Sequence, residues 1–460
     1  MIDISNRKKI NIRDKKITVI GLGMSGTAAA ILANHLGARV FGSDSSDDFQ
    51  VTDNGLHLLK NHIASETGLH SKKIYDADLW IISPGIPKDA DIIKKAQGRG
   101  IPIVGEIEFA SWYTDSPIVA VTGSNGKTTT VHILSEMCQS KNIQSIMAGN
   151  MGIPFSERVL KEIKKPKQNL AYILEISSFQ MEFVLHFCPK IAIYTNLSPD
   201  HLDRHGTMDE YVNMKMKMVK NMGDDGYIVF NADDPQLIMA VEGHDSTLAP
   251  FSMMRTGLTY SIDSKNINTL TGNPLLSVDD IALRGKHNLS NMLCAATSSS
   301  LMGISDKHIA NVMKTFTGVE HRLENFAIIK DVTYINDSKA TNLDSVSVAI
   351  QSFNKPVVLI LGGRNKGADF RLLLPHIKSR HVRDIISYGE AGGQISTAIG
   401  DAVRSVQVTD LNSAVKTAQR LAAPGDVVLL SPGCASFDQF ANFEERGQYF
   451  KTKVMEMMVV

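Results

Sequence analysis

The residues with the clearest chemical purpose lie between positions 119 and 215. An apolar strand, Pro117 to Val121, runs through Gly123, Ser124, Asn125 and Gly126 into a helix that begins near Lys127, Thr128 and Thr129. Backbone N–H groups of such a loop and first helical turn have no partner of their own, and the helix dipole favours an anion above them. Lys127 is placed to reach β/γ-phosphate oxygens, and the Thr128 hydroxyl suits Mg²⁺. Position 121 is Val where a strict Walker A motif starts on Gly. The strand before and the helix after still mark a triphosphate loop. Further on, the strand Ala171 to Leu174 ends on a lone carboxylate, Glu175, suited to a Mg²⁺ ligand beside phosphates. The strand Ile191 to Asn196 runs into Asp200-His201-Leu202-Asp203-Arg204-His205, which crowds metal-capable groups at a second strand end.

Other groups fit nucleotide chemistry with less definition. Gly21-Leu22-Gly23-Met24-Ser25-Gly26 follows the strand Lys16 to Ile20, and a helix and a second strand then lead to Ser43-Asp44-Ser45. This is a GxGxxG turn in a βαβ setting with an acid about 20 residues on. It shows that a diphosphate can approach the backbone, and a nucleotide sugar fits as well as NAD. Asn288 and Asn291 share one helix face, where two amides can bond an adenine or ribose edge or merely cap the helix.

These groups must be carried by elements, and the elements repeat one plan. Strands alternate with helices, and polar residues collect at strand carboxyl ends, where open α/β sheets bind ligands. The expected fold is α/β with three domains, each an open, mainly parallel sheet flanked by helices. A Rossmann-like domain covers 1–115, a P-loop domain 116–317 and a second Rossmann-like domain 318–460. Within the middle domain, Ser246 to Asp280 alternates weakly and reads as short β-hairpins, and Tyr211 to Met222 reads as a helix.

The 460 residues carry 48 Lys+Arg against 48 Asp+Glu, so nothing global draws nucleic acid or an anionic membrane, and an anionic ligand must be met by local groups. No apolar run approaches ~18 residues, which excludes a membrane-spanning helix. The charged start, Met1 to Lys16, lacks the apolar segment of a signal peptide. The four cysteines show no metal spacing, which favours a reduced interior and a cytoplasmic protein.

In order along the chain, these segments resemble the ATP-dependent Mur ligases of peptidoglycan synthesis. The resemblance covers essentially the whole chain. It runs from Gly123-Ser124-Asn125-Gly126-Lys127-Thr128 through Glu175-Ile176-Ser177-Ser178-Phe179-Gln180, Asp200-His201, His287-Asn288 and Asn291. It continues through His321-Arg322, Asn336-Asp337-Ser338-Lys339-Ala340-Thr341-Asn342 and Cys434-Ala435-Ser436-Phe437-Asp438-Gln439-Phe440. The last two motifs are similar to those of the D-glutamate-adding branch, and the Asp-Asn-Pro-Arg motif of the diaminopimelate-adding branch is absent.

The resemblance implies a cytoplasmic monomer acting on UDP-N-acetylmuramoyl-L-alanine, D-glutamate and ATP. It resolves the dinucleotide question in favour of UDP on the first sheet. Leu22, Met24 and Ser25 are implied at the diphosphate, with Ser45, Ser83, Gly85, Asn150 and Gly152 completing the UDP-substrate site. Ser45 and Ser46 stand where relatives place a hydroxyl and often an Arg. Asn288, Asn291, Arg322 and Asp337 are implied at ATP, and Lys339, Thr341, Lys366, Ser436 and Phe437 at D-glutamate. Two Mg²⁺ sites are implied, one on Thr128 and Glu175 and one on His201. At the second, Lys215 is implied to act as a carbamate. The expected chemistry is γ-phosphoryl transfer to the alanyl carboxylate, then attack by the glutamate amine. The active site is expected to be complete only when the third domain closes.

Against this stand a nicotinamide oxidoreductase, which leaves Glu175 and the phosphate loop idle, and a P-loop switch or transport ATPase, which leaves the terminal domains idle.

Overall fold

The computed structural model describes residues 2–7, 10–199, 202–263, 265–365, 367–379 and 381–457. His201 and Lys366, both singled out above, lie outside the described residues.

Runs of Ile, Val and Leu with no polar alternation build strands covered on both faces, as parallel sheets require. The first five strands are β1 (Lys16–Ile20), β2 (Arg39–Ser43), β3 (Ala64–Glu66), β4 (Leu79–Ile82) and β5 (Ile103–Gly105). They form one parallel sheet in the order β3-β2-β1-β4-β5. The chain starts in the middle and winds outwards both ways, so the carboxyl ends of β1 and β4 flank a switch point.

A second sheet follows the same logic with β6 (Ile118–Thr122), β7 (Gln144–Gly149), β8 (Leu170–Glu175), β9 (Ile191–Tyr194), β10 (Tyr227–Asn231) and β11 (Thr247–Phe251). Its order is β11-β10-β9-β6-β8-β7, all parallel, and β6 and β8 are buried at every position. Pairing sets Val121 opposite Glu175 and Thr122 opposite Tyr194, which brings three strand ends to one rim.

The expectation of hairpins over Ser246 to Asp280 is half corrected. Thr247–Phe251 pairs in parallel with β10, because its Ala249 and Phe251 find buried places at that edge. The antiparallel hairpins begin only at β12 (Tyr260–Ile262), β13 (Asn266–Thr269) and β14 (Pro274–Ser277). The helix expected over Tyr211 to Met222 runs from Met208 to Met216 and tightens into a 3-10 turn at Lys217–Val219. Thr207 caps its start, its hydroxyl accepting from the Glu210 N–H at 3.2 Å.

The chain divides into two compact units, Met1–Phe316 and Thr317–Val460. Inside the first, Glu108 joins the two large sheets. Its buried carboxylate accepts from the N–H groups of Leu185, His186 and Phe187 at 2.8–2.9 Å and from Trp112 Nε1 at 2.6 Å.

The second unit holds β15 (Glu324–Ile329), β16 (Val332–Asn336), β17 (Val357–Gly362), β18 (Val382–Tyr388), β19 (Arg404–Gln407) and β20 (Val427–Gly433). Their order is β15-β16-β20-β17-β18-β19, parallel except for β15. That edge strand is absent from the sequence reading. Lys330 and Asp331, with φ of 50° and 62°, turn it back on β16 as a two-residue hairpin without the usual glycine.

Candidate active site

The phosphate loop leaves β6 through Gly123 (φ +145°) and enters the helix Lys127–Cys138 through Gly126 (φ +82°). A side chain at Gly123 would collide with Thr195 Oγ1, and one at Gly126 with Asn291 Oδ1, so both positions require glycine. The loop after β9 clamps this one. Asn196 Oδ1 accepts from the Asn125 N–H at 2.9 Å, while Thr195 Oγ1 and Asn196 Nδ2 donate to Asn125 O at 2.6 and 3.0 Å. Ser124 Oγ donates to Ser198 O at 2.8 Å. Asp234 holds the clamp in turn, accepting from the Leu197 N–H at 2.7 Å.

Thr128 and Glu175 meet as the pairing of β6 with β8 dictates. Thr128 Oγ1 donates to Glu175 Oε2 at 2.8 Å, and Asn150 Nδ2 donates to Oε1 at 2.9 Å. Both Thr128 and Glu175 are buried. A hydroxyl and a carboxylate oxygen at this separation are the hard, compact donor pair that Mg²⁺ takes together with phosphate oxygens. Asn150, expected beside the UDP-substrate, therefore also faces the phosphate rim. Lys127 Nζ donates to Gly123 O and Ser124 O at 2.8 and 2.9 Å. Lys215 is 2% exposed, donates to Gly123 O at 3.0 Å and lies 4.5 Å above the Tyr211 ring. Thr129 is buried, and Asn291 packs beside Gly126. Asn288 Nδ2 donates to Arg284 O at 2.8 Å, at the first turn of its own helix.

On the first sheet, Gly21 (φ +87°) turns under Ser83, whose Cβ would be 2.6 Å from any added side chain. The acid at the end of β2 is not turned to a ribose: Asp44 accepts from the loop's own Leu22 N–H at 2.7 Å and from the Ser46 N–H at 2.9 Å. Leu22 has a fully buried side chain and so offers backbone only, whereas Met24, Ser45 and Gly85 are exposed. Ser25 and Ser83 are half-buried, and Gly152 beyond Asn150 is exposed.

In the second unit, three strand-end loops are tied together. Arg364 and Ala435 exchange backbone hydrogen bonds at 2.9 and 3.0 Å, and Gly433 N–H donates to Ala340 O at 2.8 Å. Arg446, wholly buried on the last helix, donates to Ser338 Oγ, Ser338 O and Cys434 O at 2.9, 2.7 and 3.1 Å. Nothing in its helical surroundings marks this arginine in the sequence. Asp337 accepts from Ser431 Oγ at 2.8 Å and from the Leu323 N–H at 3.1 Å. Burial pushes its carboxyl up to about 7, against the pull of those bonds and of Arg322 and Lys339. Lys339 and Thr341 are half-buried on the loop after β16, while Ser436 is buried and Phe437 exposed on the loop after β20.

Comparison with known proteins bears on all of these segments. Residues 15–105 match the Mur ligase MurD-like N-terminal domain, 121–299 the Mur ligase middle domain and 321–434 the Mur ligase glutamate ligase domain. A UDP-N-acetylmuramoylalanine–D-glutamate ligase of Koribacter versatilis is 37% identical over 458 residues, covering 97% of this chain and 99% of that one. One from Christiangramia forsetii is 39% identical over 452 residues, covering 96% and 100%. The chain belongs to the Mur ligase family.

This Mur ligase is accordingly an ATP-dependent, amide-bond-forming enzyme, with ATP as co-substrate. Solved structures carry the fold further. UDP-N-acetylmuramate–alanine ligase from Thermotoga maritima superposes with a TM-score of 0.59 at 19% identity, covering 96% of this chain and all of that one. MurF from Acinetobacter baumannii gives 0.58 at 15%, covering 96% and 93%. Among the described residues, no helix of this Mur ligase is long and apolar enough to cross a membrane.

Proposed function

We propose that the chain joins D-glutamate to the alanyl carboxylate of UDP-N-acetylmuramoyl-L-alanine, releasing ADP and phosphate, as a cytoplasmic monomer. The observation that carries this reading is the Lys127, Thr128 and Glu175 rim, in a chain matched end to end by relatives named for that reaction.

A carboxylate acylates an amine only once its oxygen has become a leaving group. The γ-phosphoryl group of ATP supplies one, giving an acyl phosphate that the D-glutamate amine then attacks. Both partners of the first step are anions, so their approach must be met by fixed positive charge. Lys127 turns from its loop carbonyls to the transferring phosphoryl, and the loop N–H groups hold the β-phosphate. Mg²⁺, where bound, neutralises phosphate charge and polarises the phosphoryl oxygen. Thr128 and Glu175 would hold one ion, and His201 with Lys215 a second. Lys215 serves there only in altered form, because an ammonium repels a cation. A neutral amine that adds CO₂ and loses a proton becomes a carbamate with two donor oxygens, and Lys215 is the buried lysine beside the phosphate loop where such a group would serve.

The reading takes 1–115 for the UDP-substrate, 116–317 for ATP and 318–460 for the amino acid. Asn288, Asn291, Arg322 and Asp337 attend the nucleotide. Lys339, Thr341, Lys366, Ser436 and Phe437 receive the two carboxylates of D-glutamate. The test is phosphate release from ATP with UDP-N-acetylmuramoyl-L-alanine, screened across D- and L-amino acids. D-glutamate alone should drive turnover. Turnover that ignores the amino acid, or that follows another one, overturns the reading.

A further inference from the structure

Glu182 and Arg204 form an ion pair that no step above uses. The guanidinium meets the carboxylate fork to fork, Nε to Oε1 at 2.9 Å and Nη2 to Oε2 at 2.8 Å, with side chains 17% and 2% exposed for Arg204 and Glu182. The same guanidinium reaches the first sheet, where Nη2 donates to Ile86 O at 3.0 Å and Nη1 to Gly85 O at 3.4 Å. These carbonyls belong to the loop after β4. The flat face of Arg204 lies 4.4 Å from the centre of the Phe179 ring. From there a column of side chains continues. His205 stacks on Phe179 at 5.6 Å and 24°, Tyr211 lies 5.4 Å from His205, and Lys215 sits over Tyr211. The column ends on the phosphate loop, since the Tyr211 hydroxyl meets Ser124 Oγ at 3.1 Å and Lys215 donates to Gly123 O.

Only a planar guanidinium can satisfy a carboxylate and two carbonyls in its plane while stacking a ring on its face. A pair that merely glued two sheets would need none of this directionality. We propose that Arg204 is a positioning residue. It fixes the Ser83–Pro87 loop, and with it the acceptor carboxylate of the UDP-substrate, relative to the phosphate loop. The proposal rests on the assignment of that loop to the UDP-substrate.

The test is steady-state kinetics with ATP, UDP-N-acetylmuramoyl-L-alanine and D-glutamate, with a thermal melt of each protein. The variants are Arg204→Lys, Phe179→Leu and the double variant Arg204→Met with Glu182→Met. The double variant leaves no carboxylate buried without its partner, which keeps the fold safe from an unpaired charge. Its KM for the UDP-substrate should rise about tenfold and its kcat fall by about the same factor, the size expected for losing a charged hydrogen bond. Its KM for D-glutamate should stay within about twofold. Arg204→Lys, which keeps the charge but loses the fork and the flat face, should retain most of the defect. Phe179→Leu interrupts the column but spares the carbonyl bonds, so it should lower kcat and leave the KM for the UDP-substrate unchanged. Variants that melt lower yet keep wild-type kinetics overturn the proposal alone. A wild-type enzyme that does not turn over these substrates overturns the underlying assignment and the proposal with it.

Discussion

Two glycine turns, Gly21–Gly26 and Gly123–Gly126, each leave the central strand of a parallel sheet and open a helix, and they differ in the charge set beside them. At the first, the Asp44 carboxylate already occupies the Leu22 N–H. At the second, Lys127 and Lys215 both donate to Gly123 O, and the carboxylate of Glu175 is turned to Thr128. Backbone shape invites an anion in both places, but the neighbouring side chains decide which one. A loop braced by its own carboxylate receives a ligand through fixed N–H groups with little net attraction, whereas a loop that carries Lys127 beside the Thr128–Glu175 pair is built for a triphosphate and its metal.

The largest expected effect breaks the second loop. Lys127→Ala should lower kcat by about a thousandfold, the scale of removing a charge from a transferring phosphoryl group. Its melting temperature should stay within about 2 °C, because the lysine is half-exposed at a loop-to-helix junction, where it donates to loop carbonyls. Turnover within about tenfold of wild type would erase the contrast between the loops. Lys215→Ala should be nearly as inactive, and acetate should restore part of the activity by supplying the missing oxygens. An unaided variant at near-normal rate would return Lys215 to a packing role.

The third effect lies in the second unit. Thr341→Ala and Lys366→Ala should each raise the KM for D-glutamate about tenfold, as expected for loss of a charge-assisted contact, and leave that for ATP unchanged. A rise for ATP instead would reverse the division of labour. Asp44→Asn sharpens the comparison from the other side. Losing a charged hydrogen bond to Leu22 should outweigh relief of a solvent-screened repulsion, so the KM for the UDP-substrate should rise about fivefold with ATP unaffected. An improved KM would show that charge, not bracing, is what Asp44 contributes.

The smallest effect concerns pH. Glu106, fully buried beside the Ser156 N–H at 2.6 Å, has its carboxyl pushed up to about 7 by burial. The folded protein then holds a proton that the unfolded chain releases near 4.3, and its stability contribution is full below that value. That contribution is lost as pH rises towards about 7. Melting temperatures of Glu106→Gln between those limits should therefore fall less steeply than those of wild type. Parallel profiles would mean that Glu106 is charged in the folded protein.

Much of this was legible in the sequence because it is local. β6, its turn and the following helix occupy consecutive residues, and Glu175 announces itself as a lone acid closing an apolar run. What was not legible is what crosses between strands. Thr195 and Asn196 look like an ordinary strand end until pairing of β6 with β9 sets them over Asn125. Asp44 stands where the GxGxxG pattern promises a ribose ligand, and only the fold reveals that it bonds its own loop. Arg446 sits in Phe-Glu-Glu-Arg-Gly-Gln, which reads as a solvated helix face, yet it is enclosed by carbonyls from two distant loops. β15 was missed because its mix of Glu, Asn, Phe and Ala alternates weakly and its turn lacks glycine.

The clamp on Glu108 has a consequence for hydrogen exchange. Three successive amides, those of Leu185, His186 and Phe187, share a single acceptor group on another segment of the chain. Their protons can reach solvent only when that carboxylate lets go, so all three should exchange at one common rate and respond together to Glu108→Gln. That shared rate is a clock for how often the first two sheets come apart.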